Sequence, residues 1–195
     1  MKRQGFTLIE LLIVITLLGI LAVAVLSAIN PIEQIDRSRD TASRSDAEQL
    51  LNAVDRYYAT KGYFPWVASG QSDNNALDWV EVAAADQTFG DDKEAMLINL
   101  SAGGTAEIKE SYVTRITSGR ARLLSMYNGG EQGQSTYVCF NPRSASFRED
   151  AWKRCTEHVD FGSLPSDYPA EACPVENCTG AAEVDGATAC YNCLP

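Results

Sequence analysis

The sequence predicts an α+β protein: a long N-terminal helix, first transmembrane and then amphipathic, packed on a small antiparallel β-sheet, with a disulfide-rich loop tail. Three observations predict it. Residues 6–29 form one nearly unbroken apolar run. Residues 32–60 repeat apolar side chains at three- and four-residue spacing. All six cysteines, Cys139, Cys155, Cys173, Cys178, Cys190 and Cys193, fall in the last third of a 195-residue chain.

The chain opens on a small basic leader, Met1-Lys2-Arg3-Gln4-Gly5. From Phe6 to Ile29 only Thr7, Glu10, Thr16, Gly19 and Ser27 interrupt the apolar run. About 24 residues at roughly 1.5 Å each span about 36 Å, enough to cross a bilayer with some tilt. The leader's positive charge keeps that end in the cytoplasm. A secretory signal peptide is the competing reading, and Ala22-Val23-Ala24 or Ala28 imitates its cleavage site. Such a peptide would have a shorter apolar core, with no place for a carboxylate. Glu10 costs about 2.5–3.5 kcal/mol at a membrane centre and less near the interface. It points to a function and a partner, against the plainer reading of an isolated carboxylate that snorkels to the interface.

Asn30-Pro31-Ile32-Glu33 predicts a break and a restart. Pro31 removes a backbone donor and disfavours helix at Asn30. The same residues supply an N-cap, a first-turn proline and an acid at the third position. Beyond them Ile32, Ile35, Ala42, Ala47, Leu50, Leu51, Val54, Tyr57 and Tyr58 mark an amphipathic helix to about Thr60. Asp40 with Arg44, and Arg44 with Glu48, are spaced as charge pairs on its polar face. The half after Leu50 carries the stronger apolar stripe and is expected to pack on the sheet. Both halves together make about 55 residues, roughly 80 Å of helix. Gly62 and Pro65 end it.

Residues 67–92 read as a polar surface connection around one apolar run, Leu77 to Val82. Glu94 to Leu100 reads as a short helix, and Ala106 to Ile116 as another or as the lead into the sheet. Ala121 to Tyr127 and Thr136 to Phe140 read as strands joined by the Asn128-Gly129-Gly130 turn. A third strand is expected without a place. Ser144 to Cys155 is a candidate helix. From Phe161 onward Pro165, Pro169, Pro174 and four cysteines mark a tail with too little apolar content to hold itself by packing.

Gly5-Phe6-Thr7-Leu8-Ile9-Glu10 resembles the processing signature of type IV pilins and pseudopilins. The helix ending from Tyr58 to Pro65 is similar to the start of their heads. The resemblance implies that a membrane peptidase cuts between Gly5 and Phe6 and that the new N-terminus at Phe6 is methylated. It implies that the apolar helix is first an anchor and then the core of a filament, where Glu10 meets the Phe6 amine of a neighbour. Gly19 matches a small position in such helices. A loosened stretch is implied over residues 19–31, although this chain has Ser27 near the family's more common proline. Residues 32–46 are then open to neighbouring subunits.

This reading divides the chain into leader 1–5, transmembrane and filament-core helix 6–29, amphipathic helix 30–60, and head 61–195 with a Cys-rich tail over 139–195. The formal net charge is -10, and residues 62–195 carry 19 acids against 9 bases. So acidic a head argues against nucleic-acid binding through a basic surface. The cysteines read as disulfides in an oxidising space, with 15 possible pairings. Cys173, Cys178, Cys190 and Cys193 also have the spacing of a four-thiolate zinc knuckle, and that alternative stays open. Cys190-x2-Cys193 as a redox pair lacks the strand–helix context. His158, three residues after Cys155, reads as a surface histidine rather than half of a catalytic dyad. Tyr57, Tyr58, Tyr63, Phe64 and Trp66 read as a core or cap cluster rather than a carbohydrate surface. Asn99-Leu100-Ser101 fits a glycosylation sequon.

No phosphate loop, Ser/His/Asp set or helical His pair occurs, so no catalytic residue, metal or cofactor is assigned and an enzyme is not expected. The expected function is a structural subunit of a type IV pilus-like filament. Its partners would be itself, other pilins, the prepilin peptidase/methylase and the membrane. It would sit as a single-pass protein in the cytoplasmic membrane with its head outside, then in an extracellular pilus. A pseudopilin of a secretion system is the alternative within the class. A monomeric membrane-anchored binding module is the alternative outside it.

Overall fold

The two halves of the apolar pattern become two helices with different surfaces. α1 runs Leu8–Ala28 and α2 runs Pro31–Lys61. A computed structural model describes residues 5–28, 30–68, 75–89, 94–101, 104–118, 123–161, 164–174 and 190–195, with backbone only at 28 and 156–161. The chain forms two units, residues 1–35 and residues 36–195.

In the first unit every residue from Gly5 to Ser27 is exposed. α1 is long and apolar enough to cross a membrane. Thr16 and Ser27 turn their hydroxyls onto the carbonyls of Ile13 and Ala24, at 2.8 and 2.9 Å, so neither is left unsatisfied in an apolar surround. Asn30 lies outside both helices and caps α2: its side-chain oxygen accepts from the amides of Ile32 and Glu33 at 3.2 and 3.4 Å. Pro31 occupies the first turn, where its missing N–H costs nothing.

The second unit is built on the inner face of α2. Ala47, Leu50, Ala53, Val54 and Tyr57 are buried there. α2 stops at Lys61 because Gly62 takes the left-handed conformation (φ +80°) and returns its N–H to the carbonyl of Tyr58 at 2.8 Å.

The sheet contains β1 (Leu77–Glu81), β2 (Ser125–Asn128), β3 (Thr136–Phe140) and β4 (Asn192–Leu194) in that spatial order, with every neighbouring pair antiparallel. Met126, Val138 and Phe140 join the core with α2, while Tyr127, Tyr137, Cys139 and Cys193 form a second cluster with Ala172 and Tyr168. With both faces covered, all five residues of β3 are buried, unlike an antiparallel strand with one wet face. Gly130 (φ +85°) makes the β2–β3 turn, and its N–H reaches the side-chain oxygen of Asn128 at 2.8 Å.

Four expectations are corrected. Leu77 to Val82 is not merely an apolar run in a surface connection, because residues 77–81 form the edge strand β1. A bulge between Leu77 and Val80 puts both on the core side, leaving Trp79 on the other against Tyr191. The fourth strand, β4, comes from the last residues of the cysteine tail. The strand expected over 121–127 is Ser125–Asn128, with Ala121 and Arg122 outside the described residues. The helix expected over Ser144 to Cys155 is α5, Ala145–Phe161, which ends six residues later than expected. Between them α3 (Met96–Leu100) and α4 (Glu110–Thr117) each bury three residues, including Met96, Leu97, Tyr112 and Ile116.

The aromatic cluster at the end of α2 is mixed: Tyr57 and Trp66 are buried, Tyr63 and Phe64 half-buried, and Tyr58 is exposed. Trp66 is fully buried, stacks on Phe64 at 4.6 Å, and donates its indole N–H to the carbonyl of Asn75 at 3.1 Å.

Candidate assembly helix and its anchorage in the head

Gly5 and Phe6 precede α1, outside any helix or strand, and Phe6 is 85 % exposed. Glu10 sits at the third position of the helix. Its carboxylate accepts from the Thr7 amide at 2.8 Å and the Thr7 hydroxyl at 2.7 Å, while its own amide donates to the Thr7 hydroxyl at 3.3 Å. This is a reciprocal capping box. The Thr-x-x-Glu pattern that signals it stands in the sequence, and the assembly reading of Glu10 overlooked it. In the isolated subunit, therefore, the acid is already partnered.

Asp40 is the second feature missed. It does not pair with Arg44 on the polar face; Arg44 pairs with Glu48 at 3.2 Å. Asp40 is 2 % exposed and points inward. Both of its oxygens accept from the Arg143 amide at 3.0 Å, and one also accepts from the Ser144 amide and hydroxyl at 2.7 Å each. Ser144 in turn precedes α5 and takes its first helical bond, from Arg148, at 3.0 Å.

Further along α2, Tyr112 donates its hydroxyl to the carbonyl of Asp46 at 2.6 Å, and Arg115 pairs with the Asp46 carboxylate. Burial pushes Asp46 above the ordinary carboxylate range, and Arg115 opposes it. Burial, followed by the Asp46 charge, pushes the Tyr112 phenol upward as well. Arg56 pairs with Glu107 at 2.8 Å. These contacts tie α2 to α4 and the segment before it.

The tail is held by cross-links. Cys139 bonds Cys193 between directly opposed residues of β3 and β4, and Cys155 bonds Cys173. Cys190 is disulfide-bonded too, and Cys178 lies outside the described residues. The four-thiolate zinc alternative fails, because Cys173 and Cys193 are each bonded to a cysteine outside that set. The side chain of His158 lies outside the described residues. Asn99 spends its amide nitrogen inside the head, on the carbonyl of Pro65 and the carboxylate of Glu94 at 2.8 Å each, which is not the posture of an open sequon. On the far face of the sheet, Asp167 accepts from the Ser135 amide at 2.7 Å and the Tyr137 hydroxyl at 3.0 Å. The Ser135 amide, and then the Tyr137 hydroxyl, draw Asp167 below its ordinary range against the effect of burial. Burial and Asp167 push Tyr137 up to about 12.

A family model described as the prokaryotic N-terminal methylation motif matches residues 1–26. The type IV major pilin protein PilE1 of Neisseria gonorrhoeae is 30 % identical over 167 residues, covering 84 % of this chain and 86 % of that protein. The fimbrial protein EcpC of Eikenella corrodens is 30 % identical over 172 residues, covering 88 % and 94 %. No solved structure matches the chain significantly. The motif covers the leader and α1, and the alignments to both relatives take in most of the head as well. With an exposed apolar helix leading into a head that α2 anchors, the chain belongs to the type IV pilin family, whose members are structural subunits assembled into filaments.

Proposed function

We propose that this chain is cut between Gly5 and Phe6, methylated at Phe6, and built into an extracellular type IV pilus through α1. The peptidase/methylase and the cytoplasmic membrane are its partners before assembly, with the head outside. Its partners afterwards are its own copies and other pilins. The observation that carries this is the α1 surface, which is apolar and exposed all round and holds a single carboxylate near its start. Bilayer lipid covers such a surface before assembly, and sister helices cover it afterwards. The names of both relatives favour a pilus over the short filament of a secretion system.

Thr7 satisfies Glu10 while the subunit is alone. In the filament the carboxylate turns to the Phe6 amine of a neighbour. At about 4 Å and an effective dielectric near 20, that attraction is worth about 4 kcal/mol before desolvation is charged against it. Two substitutions separate assembly from capping. Glu10→Leu removes both roles and is expected to leave a membrane protein that makes no filament. Glu10→Gln keeps the capping partner, since Gln serves a capping box as Glu does, but it loses the charge. It is expected to fail in the same way. Wild-type filament yield from Glu10→Gln would reduce Glu10 to a helix cap.

A further inference from the structure

On the far face of the sheet a cavity of about 320 Å³ opens between α5, β4 and residues 164–168. Tyr137, Tyr168, Leu164, Pro165 and Pro195 wall it, and Arg154 stands beside them. The two tyrosine rings meet edge to face, with 5.4 Å between centroids. Asp167 fixes the first of them by accepting its hydroxyl at 3.0 Å. The walls are therefore set by contacts inside the head, and a cavity of this size lies at the small end of those that hold organic ligands.

Arg154 gives the cavity its charge. Its Nη1 donates to the carbonyl of Cys193 at 3.0 Å. Cys193 is in turn tied to β3 by the ladder and by a disulfide. The tip of an otherwise wandering side chain is thus anchored before any ligand arrives, which lowers the entropy lost on binding. A guanidinium carries five N–H donors, and this bond uses one of them. The others have no acceptor among the described residues, and no carboxylate there lies within ion-pair distance of Arg154. Asp167, at the hydroxyl end of Tyr137, spends its oxygens on that hydroxyl and on the Ser135 amide. A second donor stands near the same cation. The Tyr168 hydroxyl is buried without a hydrogen-bond partner among the described residues. Burial pushes this phenol upward and the Arg154 charge opposes it, so the hydroxyl lies within the field of the guanidinium.

One anchored cation without a counter-charge calls for a single negative charge. The fork of a guanidinium matches the two oxygens of a carboxylate. A phosphate dianion would need more donors than one arginine supplies. Tyrosine and proline walls favour a compact ring over a solvated chain. We propose that this cavity binds a small organic acid with an apolar ring, its carboxylate on Arg154 and its ring against Tyr168 and Pro165. The site belongs to the single head and does not depend on whether the chain assembles.

Phenylacetate is the probe, titrated into the full-length chain in uncharged detergent micelles and followed by NMR. Saturable shifts are expected at Tyr137, Arg154, Tyr168 and Cys193 with millimolar acid. Phenylacetamide keeps the shape and loses the charge, whereas acetate keeps the charge and loses the ring. Each is expected to bind at least about tenfold more weakly. Arg154→Gln should weaken phenylacetate to the level of the amide. Equal binding of phenylacetate and phenylacetamide to the wild type overturns the proposal, whether or not Arg154→Gln folds. So does the absence of saturable shifts at the four residues, or shifts confined to α1, where the acid would be entering the micelle. Full affinity in a folded Arg154→Gln variant overturns it as well.

Discussion

Removing the Cys139–Cys193 bond should destabilise the head more than removing Cys155–Cys173. The two bonds close loops with sequence separations of 54 and 18 residues. Loop-closure entropy then assigns about 4 kcal/mol to the first and about 3 kcal/mol to the second. The second loop lies inside the first, but shortening the outer loop changes its logarithmic term by only a few tenths of a kcal/mol. Alanine is the right replacement. Cys139 and Cys193 are almost fully buried, and serine hydroxyls there would add a desolvation cost of about 1–3 kcal/mol each. The Cys139→Ala/Cys193→Ala variant loses the covalent tie of a three-residue strand to β3, leaving β4 its ladder and the bond from Arg154 to the Cys193 carbonyl at 3.0 Å. Guanidinium unfolding of the two double variants beside the wild type reads both costs. A domain of ordinary stability, about 5–15 kcal/mol, should remain folded in both variants, with the Cys139→Ala/Cys193→Ala variant the less stable by about 1 kcal/mol. A larger loss from the Cys155–Cys173 pair, or no loss from either, would refute the loop-length reasoning.

Three further outcomes follow from the head. Leu50→Ala empties a fully buried site between α2 and the sheet and should cost about 3–5 kcal/mol, read as a lowered unfolding midpoint with little change in slope. Tyr112→Phe removes the hydrogen bond to the Asp46 carbonyl and should cost about 1 kcal/mol, while Arg115→Ala, which removes a half-exposed ion pair, should cost less. Asp167 is held below its ordinary range mainly by the Ser135 amide. Its contribution is therefore complete above the unfolded carboxylate range near pH 4 and lost as pH falls through the lower folded value. The Ser135 amide resonance should hold steady from neutral pH to about pH 5 and move below about pH 4. A shift complete by pH 6 would contradict that sign.

What the sequence shows plainly is what local rules decide. The apolar run, the Asn30-Pro31 restart and the Gly62 stop each depend on residues within one or two turns, and all three stand where they were read. The β2–β3 hairpin is legible for the same reason, since its turn lies between its strands. β4 is not: three residues, Asn192 to Leu194, carry no strand pattern, and the strand they pair with, β3, lies more than 50 residues earlier. β1 was hidden by a bulge that breaks its alternation. Asp40 was misread because Arg44 stood at a helical spacing, whereas its true donors lie more than 100 residues on. The Thr7–Glu10 box was legible and went unread, because one acid in an apolar helix invites a search for a distant partner before a near one.

The mass of the chain in filaments sheared from the cell surface tests the central claim most directly. The account predicts a species beginning at Phe6 and carrying one added methyl group. A chain that retains Met1, or one cut after Ala24 or Ala28, would contradict it.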